Sequence, residues 1–191
     1  VLKRFDAMGE PIRGEREINR VEAAVVERIF RDYAAGVSPK AIAHALNREG
    51  VPGPSGEGWG PSTIHGNRRR GTGMLNNELY IGRLIWNRLR YVKDPDTGKR
   101  VSRENPKSEW LIRDVPEMRI ISDELWQSVK DRQTVLEDRA PEYWAKQRGK
   151  NLFSFLLKCG ECGAGFGKAS ATHYACSGAR NKGTCGNNLR I

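Results

Sequence analysis

"CGECGAGFGKASATHYACSGARNKGTC" runs from Cys159 to Cys185 and contains all four cysteines of the 191-residue chain. Four thiols in one corner can staple a secreted domain, carry redox chemistry or hold a metal. Their spacing is C-x2-C, then thirteen residues, then C-x8-C. The 158 residues before Cys159 have no cysteine and nothing indicates secretion, so a disulfide framework does not fit. "CGEC" has the outline of a thioredoxin-like redox pair, but no strand–helix–strand pattern surrounds it and two further cysteines go unexplained. A metal accounts for all four. Two thiolates on a tight turn offer one edge of a tetrahedron at metal–sulfur distances of about 2.3 Å, and a second pair completes it. Gly160 and Gly163 allow the first turn to fold tightly. Cys159, Cys162, Cys176 and Cys185 are therefore expected to hold one structural Zn2+, because a closed four-sulfur site leaves no position for water or substrate. His173, inside the loop, is the alternative donor. A segment of about forty residues has too small a core to fold alone, and the metal would supply the missing stability.

Working outward, charge is the next signal. The chain carries a net +10, and its distribution is uneven: residues 64–103 hold ten Lys/Arg against three acids, and residues 151–191 hold five against one. Two separated basic blocks fit a polyanion tracked along its length; the plain alternative is a solvated basic surface. The longest apolar stretch, Leu152 to Leu157, is too short to span a bilayer. No basic start followed by an apolar run suggests a signal peptide. The first residue is Val1 rather than Met, which reads as a piece of a longer protein.

Residues 1–18 read as a linker or hairpin with a turn at Asp6 to Glu10. Asn19 with Glu22 forms a capping-box pattern, followed by Val25, Val26, Ile29, Phe30 and Tyr33 at helical spacing and closed by Gly36. Ser38 caps a second helix with Pro39 at its first position and an apolar face of Ile42, Ala45 and Leu46. Ser62 is expected to cap a third, short helix leading into "TIHGNRRR". Such a two-helix unit with a third helix reads as helix-turn-helix-like. "YIGRLIWNRLRYV" from Tyr80 predicts one strand, "DPDTGK" a turn and "RVSR" the returning strand; "SEWLIRDV" and "MRII" predict further strands. Ser122, Asp123 and Glu124 open a long helix with Leu125, Trp126, Val129 and Gln133 on one face, interrupted at Pro141 before a polar linker. The fold class is α+β, a helix-turn-helix-like helical domain with short β-strands followed by a small zinc β-ribbon. Trp59, Tyr80, Trp86, Trp110 and Trp126 are assigned to packing, since double-stranded DNA hides its base faces.

"VVERIFRDYAAGVSPKAIAHALNREGVPGPSG" with "W" and "PSTI" after it, "GTGMLNNELYIGRLIWNRLRYVKDPDTGKR", "RIISDELWQSVKDRQ" and "LLKCGECGAGF…YACSGARNKGTCGN" together resemble the large serine recombinases, or serine integrases. Order and spacing carry the resemblance, which covers nearly the whole chain. It implies a recombinase domain at 19–137, a linker at 138–150 and a zinc ribbon at 151–191. Two family parts have no counterpart in these residues: the catalytic domain with its nucleophilic serine, and the coiled coil that accompanies the ribbon. The resemblance therefore implies a DNA-binding portion with no catalytic residue of its own, acting at an attachment half-site beside other recombinase subunits. It implies a cytoplasmic, bacterial or phage-encoded protein, with no membrane and no small-molecule substrate. Ser38, Ser62 and Ser122 read as helix caps.

The candidate DNA contacts are Thr63, His65, Asn67, Arg68, Arg69, Arg70, Arg88 and Arg90 in the first basic block, and Lys168, His173, Arg180 and Lys182 in the ribbon. Arginines can grip phosphates or a guanine edge. Two other functions compete: a zinc-ribbon transcription regulator or RNA-binding protein without recombinase ancestry, and a thiol oxidoreductase using Cys159 and Cys162.

Overall fold

The computed structural model describes residues 2–56, 58–139, 153 and 156–191. Helices and short strands alternate in an α+β fold. The strands pair as two-stranded antiparallel sheets. The chain divides into two compact units, Val1–Arg31 with Gly66–Ser128, and Asp32–His65 with Val129–Ile191. No helix among the described residues is long and apolar enough to cross a membrane.

The helices begin where local chemistry allows. α1 (Arg20–Ala34) is capped by Asn19, whose Oδ1 accepts from the Val21 and Glu22 amides at 3.1 and 3.4 Å and whose side-chain amide donates to the Glu22 carboxylate at 2.9 Å. It ends at Gly36 with φ +103°, where the Val37 amide reaches back to the Asp32 carbonyl at 3.0 Å. α2 (Pro39–Arg48) is capped by Ser38, whose Oγ accepts from the Ala41 amide at 3.2 Å. α3 (Pro61–His65) starts two residues earlier than expected. Pro61, with a preset φ and no amide to satisfy, takes the first helical position, and the Thr63 amide bonds to the Gly60 carbonyl. Ser62 therefore lies inside the helix and does not cap it. α4 (Asp123–Arg139) is capped by Ser122 Oγ, which accepts from the Leu125 amide at 3.3 Å. The expected break at Pro141 and the linker after it lie outside the described residues.

In the first unit, β1 (Leu2–Phe5) and β2 (Pro11–Glu17) form the expected hairpin. The predicted strand from Tyr80 is two strands. β3 (Arg83–Trp86) pairs with β6 (Leu111–Asp114), while β4 (Leu89–Lys93) pairs with β5 (Arg100–Glu104) around the "DPDTGK" turn. The break falls at Asn87, a non-glycine residue at φ +59°. Asn105 holds it there, its side-chain amide donating to the Asn87 carbonyl and Oδ1 at 2.9 and 3.0 Å. "MRII" is not a strand. It follows a 3-10 turn at Pro116–Met118, and the Ile120 and Ile121 amides both bond to the Tyr80 carbonyl at 2.9 and 2.8 Å. The core of this unit is Ala23, Val26, Ile29 and Phe30 of α1 with Leu75, Met118 and Ile121. Phe30 meets Tyr80 edge-on at 6.0 Å and stacks near Trp126 at 5.8 Å.

The second unit buries Tyr33, Ile42, Ala43, Leu46, Trp59, Ile64 and Val129. Arg132 of α4 closes the end of α1: its guanidinium lies 4.3 Å from the Tyr33 ring centroid and donates to the carbonyls of Tyr33, Gly36 and Val37. β7 (Phe166–Lys168) and β8 (Tyr174–Cys176) form the small ribbon. Its own core is Cys159, Phe166 and Cys176, with Leu157, Ala164 and Tyr174 packed against them.

Gly66 gives the sharpest test of this packing. It sits at φ +59°, and an added Cβ would lie 1.9 Å from the Thr72 carbonyl oxygen and 2.5 Å from Gly73 Cα. Both neighbours are backbone and cannot swing aside. Gly66→Ala is expected to cost at least about 3 kcal/mol in denaturant unfolding. Gly36→Ala, at positive φ but with open space around it, should cost only about 1 kcal/mol.

Candidate metal centre and nucleic-acid interface

The four thiols meet. The Sγ atoms of Cys159, Cys162, Cys176 and Cys185 all lie within 4.8 Å of one another, with Cys159–Cys185 at 3.9 Å and Cys162–Cys176 at 3.5 Å. A tetrahedral ion with metal–sulfur bonds of about 2.3 Å requires sulfur–sulfur edges of about 3.8 Å, so the donor set fits a metal ion. The first pair is placed by a tight turn: the Gly163 amide bonds to the Cys159 carbonyl at 2.9 Å, with Gly163 at φ +69°. The second pair is placed by β8 and by a helical turn at Gly178–Lys182.

Two residues support these sulfurs that the spacing pattern does not reveal. Asn187 donates its side-chain amide to Cys159 Sγ at 3.2 Å and its backbone amide to Cys185 Sγ at 3.4 Å. Gly178 backs the cluster, and a Cβ there would lie 3.1 Å from Cys162 Sγ and 3.5 Å from Cys176 Sγ. Without a cation the thiols differ sharply. The Cys162 backbone amide, helped by Asn187, lowers the Cys159 thiol to about 6. For Cys185 the Asn187 amide favours the thiolate, but burial and the contacts with Cys162, Glu161 and Cys159 outweigh it and push the thiol up to about 12. Burial raises Cys176. Cys159 forms its thiolate readily while Cys176 and Cys185 resist, which fits a site where a cation would gather the negative sulfurs. His173 is not among the four donors. Its Nδ1 lies 2.8 Å from Thr172 Oγ1 and 3.2 Å from Ser170 Oγ.

The candidate DNA contacts fall into distinct surroundings. Asn67 to Thr72 form a small antiparallel bridge in which Asn67 Oδ1 accepts from the Arg70 amide at 3.0 Å, so Arg68 and Arg69 stand on an exposed turn and Arg70 is half-buried beside them. Arg69 reaches Glu104 of β5 at 3.0 Å. Arg88 points inward instead: it pairs with Glu78 at 2.9 Å, lies over Trp110 at 4.8 Å and fills the space beside Gly71. Arg90 is exposed on β4. In the second unit, Thr63 and His65 are half-buried on α3, and burial lowers the His65 pKa below its ordinary 6.5. Lys168, His173 and Arg180 are exposed on the ribbon, where Arg180 donates to the Lys168 carbonyl at 2.8 Å. Lys182 is half-buried, and its carbonyl accepts from the Asn47 side chain. Asn47 also clamps the backbone of Trp59, donating to its carbonyl at 2.9 Å and accepting from its amide at 2.6 Å. A cavity of about 450 Å³ is lined by Lys40, His44, His173, Arg180 and Arg190 among others.

The aromatic residues behave as expected with one exception. Trp59 is buried, Trp126 stacks near Phe30 and Trp110 carries Arg88. Trp86 is 67% exposed. It stands opposite Leu111 at the end of a sheet only two strands wide, which offers too little surface to cover an indole.

A family model described as Recombinase matches residues 20–134. No curated protein matches the chain. A solved structure described as "Crystal Structure of a LSR-DNA Complex" is 18% identical at a TM-score of 0.37, with 99% of this chain and 52% of that chain covered. The chain thus spans about half the length of that relative.

Asn187→Asp would place a carboxylate where an amide now donates to Cys159. Metal affinity, measured by competition with a chromophoric chelator, is expected to fall about 10–100-fold with the fold retained.

Proposed function

The chain belongs to the recombinase family, whose model covers residues 20–134, and from that premise we propose that it is the C-terminal DNA-binding portion of a large serine recombinase. It binds double-stranded DNA sequence-specifically at an attachment half-site. One Zn2+ on Cys159, Cys162, Cys176 and Cys185 supports the ribbon structurally. The chemistry of strand exchange belongs to a serine elsewhere in the parent protein. Its other partners are further recombinase subunits, in the cytoplasm of a bacterial host.

The observation that carries this reading is the arginine turn. The Asn67–Thr72 bridge holds Arg68 and Arg69 on an exposed turn. Cations held outward on a fixed turn suit a grip on duplex phosphates. The ribbon adds Lys168 and Arg180 on its own exposed face. If both basic blocks engage one half-site, each raises the effective concentration of the other. Ser38 and Ser122 spend their hydroxyls on helix amides, which suits capping and not nucleophilic attack.

Titration of an attachment half-site by fluorescence anisotropy tests this. Neutralising about six to eight phosphates gives a slope of roughly −5 to −7 in log K against log salt. Arg68→Gln should weaken binding by about 1–3 kcal/mol if that side chain reads a guanine, with relaxed preference at one position. Equal affinity for a structured RNA, or a covalent adduct with attachment-site plasmid, would overturn the reading.

A further inference from the structure

The β4–β5 hairpin places like charges directly opposite one another. Its register pairs Arg90 with Arg103 and Lys93 with Arg100. Directly opposed like charges work against a hairpin, and no carboxylate forms an ion pair with any of these four among the described residues. Asp94 of the turn influences Arg103 only from beyond ion-pair distance. All four are exposed. A hairpin selected for its own stability would not carry both pairs.

Alternation along the strands sends the two pairs to opposite faces. Arg90 and Arg103 share one face with Val92 and Val101, while Lys93 and Arg100 share the other with Tyr91, over whose ring Arg100 lies at 4.3 Å. An acidic surface met flat would call for cations on one face. Cations on both faces suit a ribbon with negative charge on either side, as in a duplex groove. The major groove is about 12 Å wide and admits a two-stranded ribbon. Five paired residues reach about 17 Å, or roughly five base-pair steps at about 3.4 Å each.

The hairpin is also held at both ends. At its base, Asn105 ties to Asn87, its amide donates to the Arg88 carbonyl at 3.0 Å, and Trp110 Nε1 donates to the Asn105 carbonyl at 3.1 Å. At its tip, Asp94 accepts from the Asp96 and Thr97 amides at 3.0 and 2.9 Å. Glu104 links it to Arg69 of the arginine turn. A rigid arm loses little freedom on binding.

We propose that the β4–β5 hairpin is a duplex-DNA arm seated in the major groove, with Arg90 and Arg103 on one flanking phosphate strand and Lys93 and Arg100 on the other. This rests on the reading that the chain binds duplex DNA. The test is the full chain carrying Arg90→Gln, Lys93→Gln, Arg100→Gln and Arg103→Gln together, compared with the unaltered chain on the same half-site. The salt slope should become shallower by about three to four, and binding near 0.15 M salt should weaken by about 10²–10³-fold. Hydroxyl-radical protection on both strands over about five base pairs should disappear with it. Tm should stay level or rise, because repulsion is relieved. An altered chain that binds with an unchanged slope and footprint overturns the arm while leaving the DNA reading intact. A marked fall in Tm overturns it too, since the cations would then be structural. Failure of the unaltered chain to bind duplex removes both readings.

Discussion

The Arg88 guanidinium lies 4.8 Å from the Trp110 ring centroid and 2.9 Å from Glu78, pressed against Gly71 where a methyl group would collide with it. Four segments meet there: the arginine turn, the 3-10 turn at Glu78–Ile81, the start of β4 and the approach to β6. Its side chain is 15% exposed and that of Glu78 is 23% exposed. A charge so far out of water needs its partner. Removing Glu78 strands the Arg88 guanidinium, while removing Arg88 leaves Glu78 its second partner, Arg83 at 3.0 Å. Arg69–Glu104 differs, because the Arg69 side chain is 85% exposed and such a pair contributes little. The two arginines look alike in sequence. One holds the first unit together and the other is free to exchange its partner.

That difference marks the limit of what could be read from the sequence. Helix positions were legible because caps and apolar spacing act within a few residues: Asn19, Ser38, Ser122 and Gly36 each do what their chemistry predicts. The β4–β5 hairpin was legible because "DPDTGK" encodes its turn locally. The division of the segment after Tyr80 was not, since it depends on Asn105 reaching back to Asn87 across eighteen positions. β-formers on both sides of Asn87 look continuous without that distant bond. The third-helix cap failed for a smaller reason, because Pro61 competes with Ser62 and wins the first position. At the metal centre the four donors were plain from spacing, while Asn187 and Gly178 act through contacts that spacing cannot express.

The ribbon shows why a metal fits there. Cys159, Phe166 and Cys176 are its only buried hydrophobic residues among those described. Two of the three are ligand candidates, so the core and the candidate metal site share Cys159 and Cys176. One buried phenylalanine with a few partly buried neighbours is a small core for a segment of about forty residues. Metal ligation would add a source of stabilisation that so small a core lacks. On the proposed reading the sulfurs would be spent on structure, which is chemically at odds with thiol exchange, where one sulfur must be free to attack.

Affinity and specificity then separate on physical grounds. Phosphate-directed cations are many, and each is indifferent to sequence. Base readers must offer a donor–acceptor pattern, and the arginine turn restricts which residues can. Asn67 gives its Oδ1 to the Arg70 amide, so a two-bond adenine contact, which needs that oxygen and the amide together, would cost the turn its own hydrogen bond. Burial favours the neutral His65 ring, so on the proposed reading it would offer a hydrogen-bonding ring rather than a further charge. Arg69 is held by an exposed ion pair that a phosphate can replace on similar terms, since both partners are oxyanions at the same reach. On the proposed reading, contact with DNA would release Glu104 at the base of the basic hairpin, and the cost of breaking that latch is small because solvent already screens it.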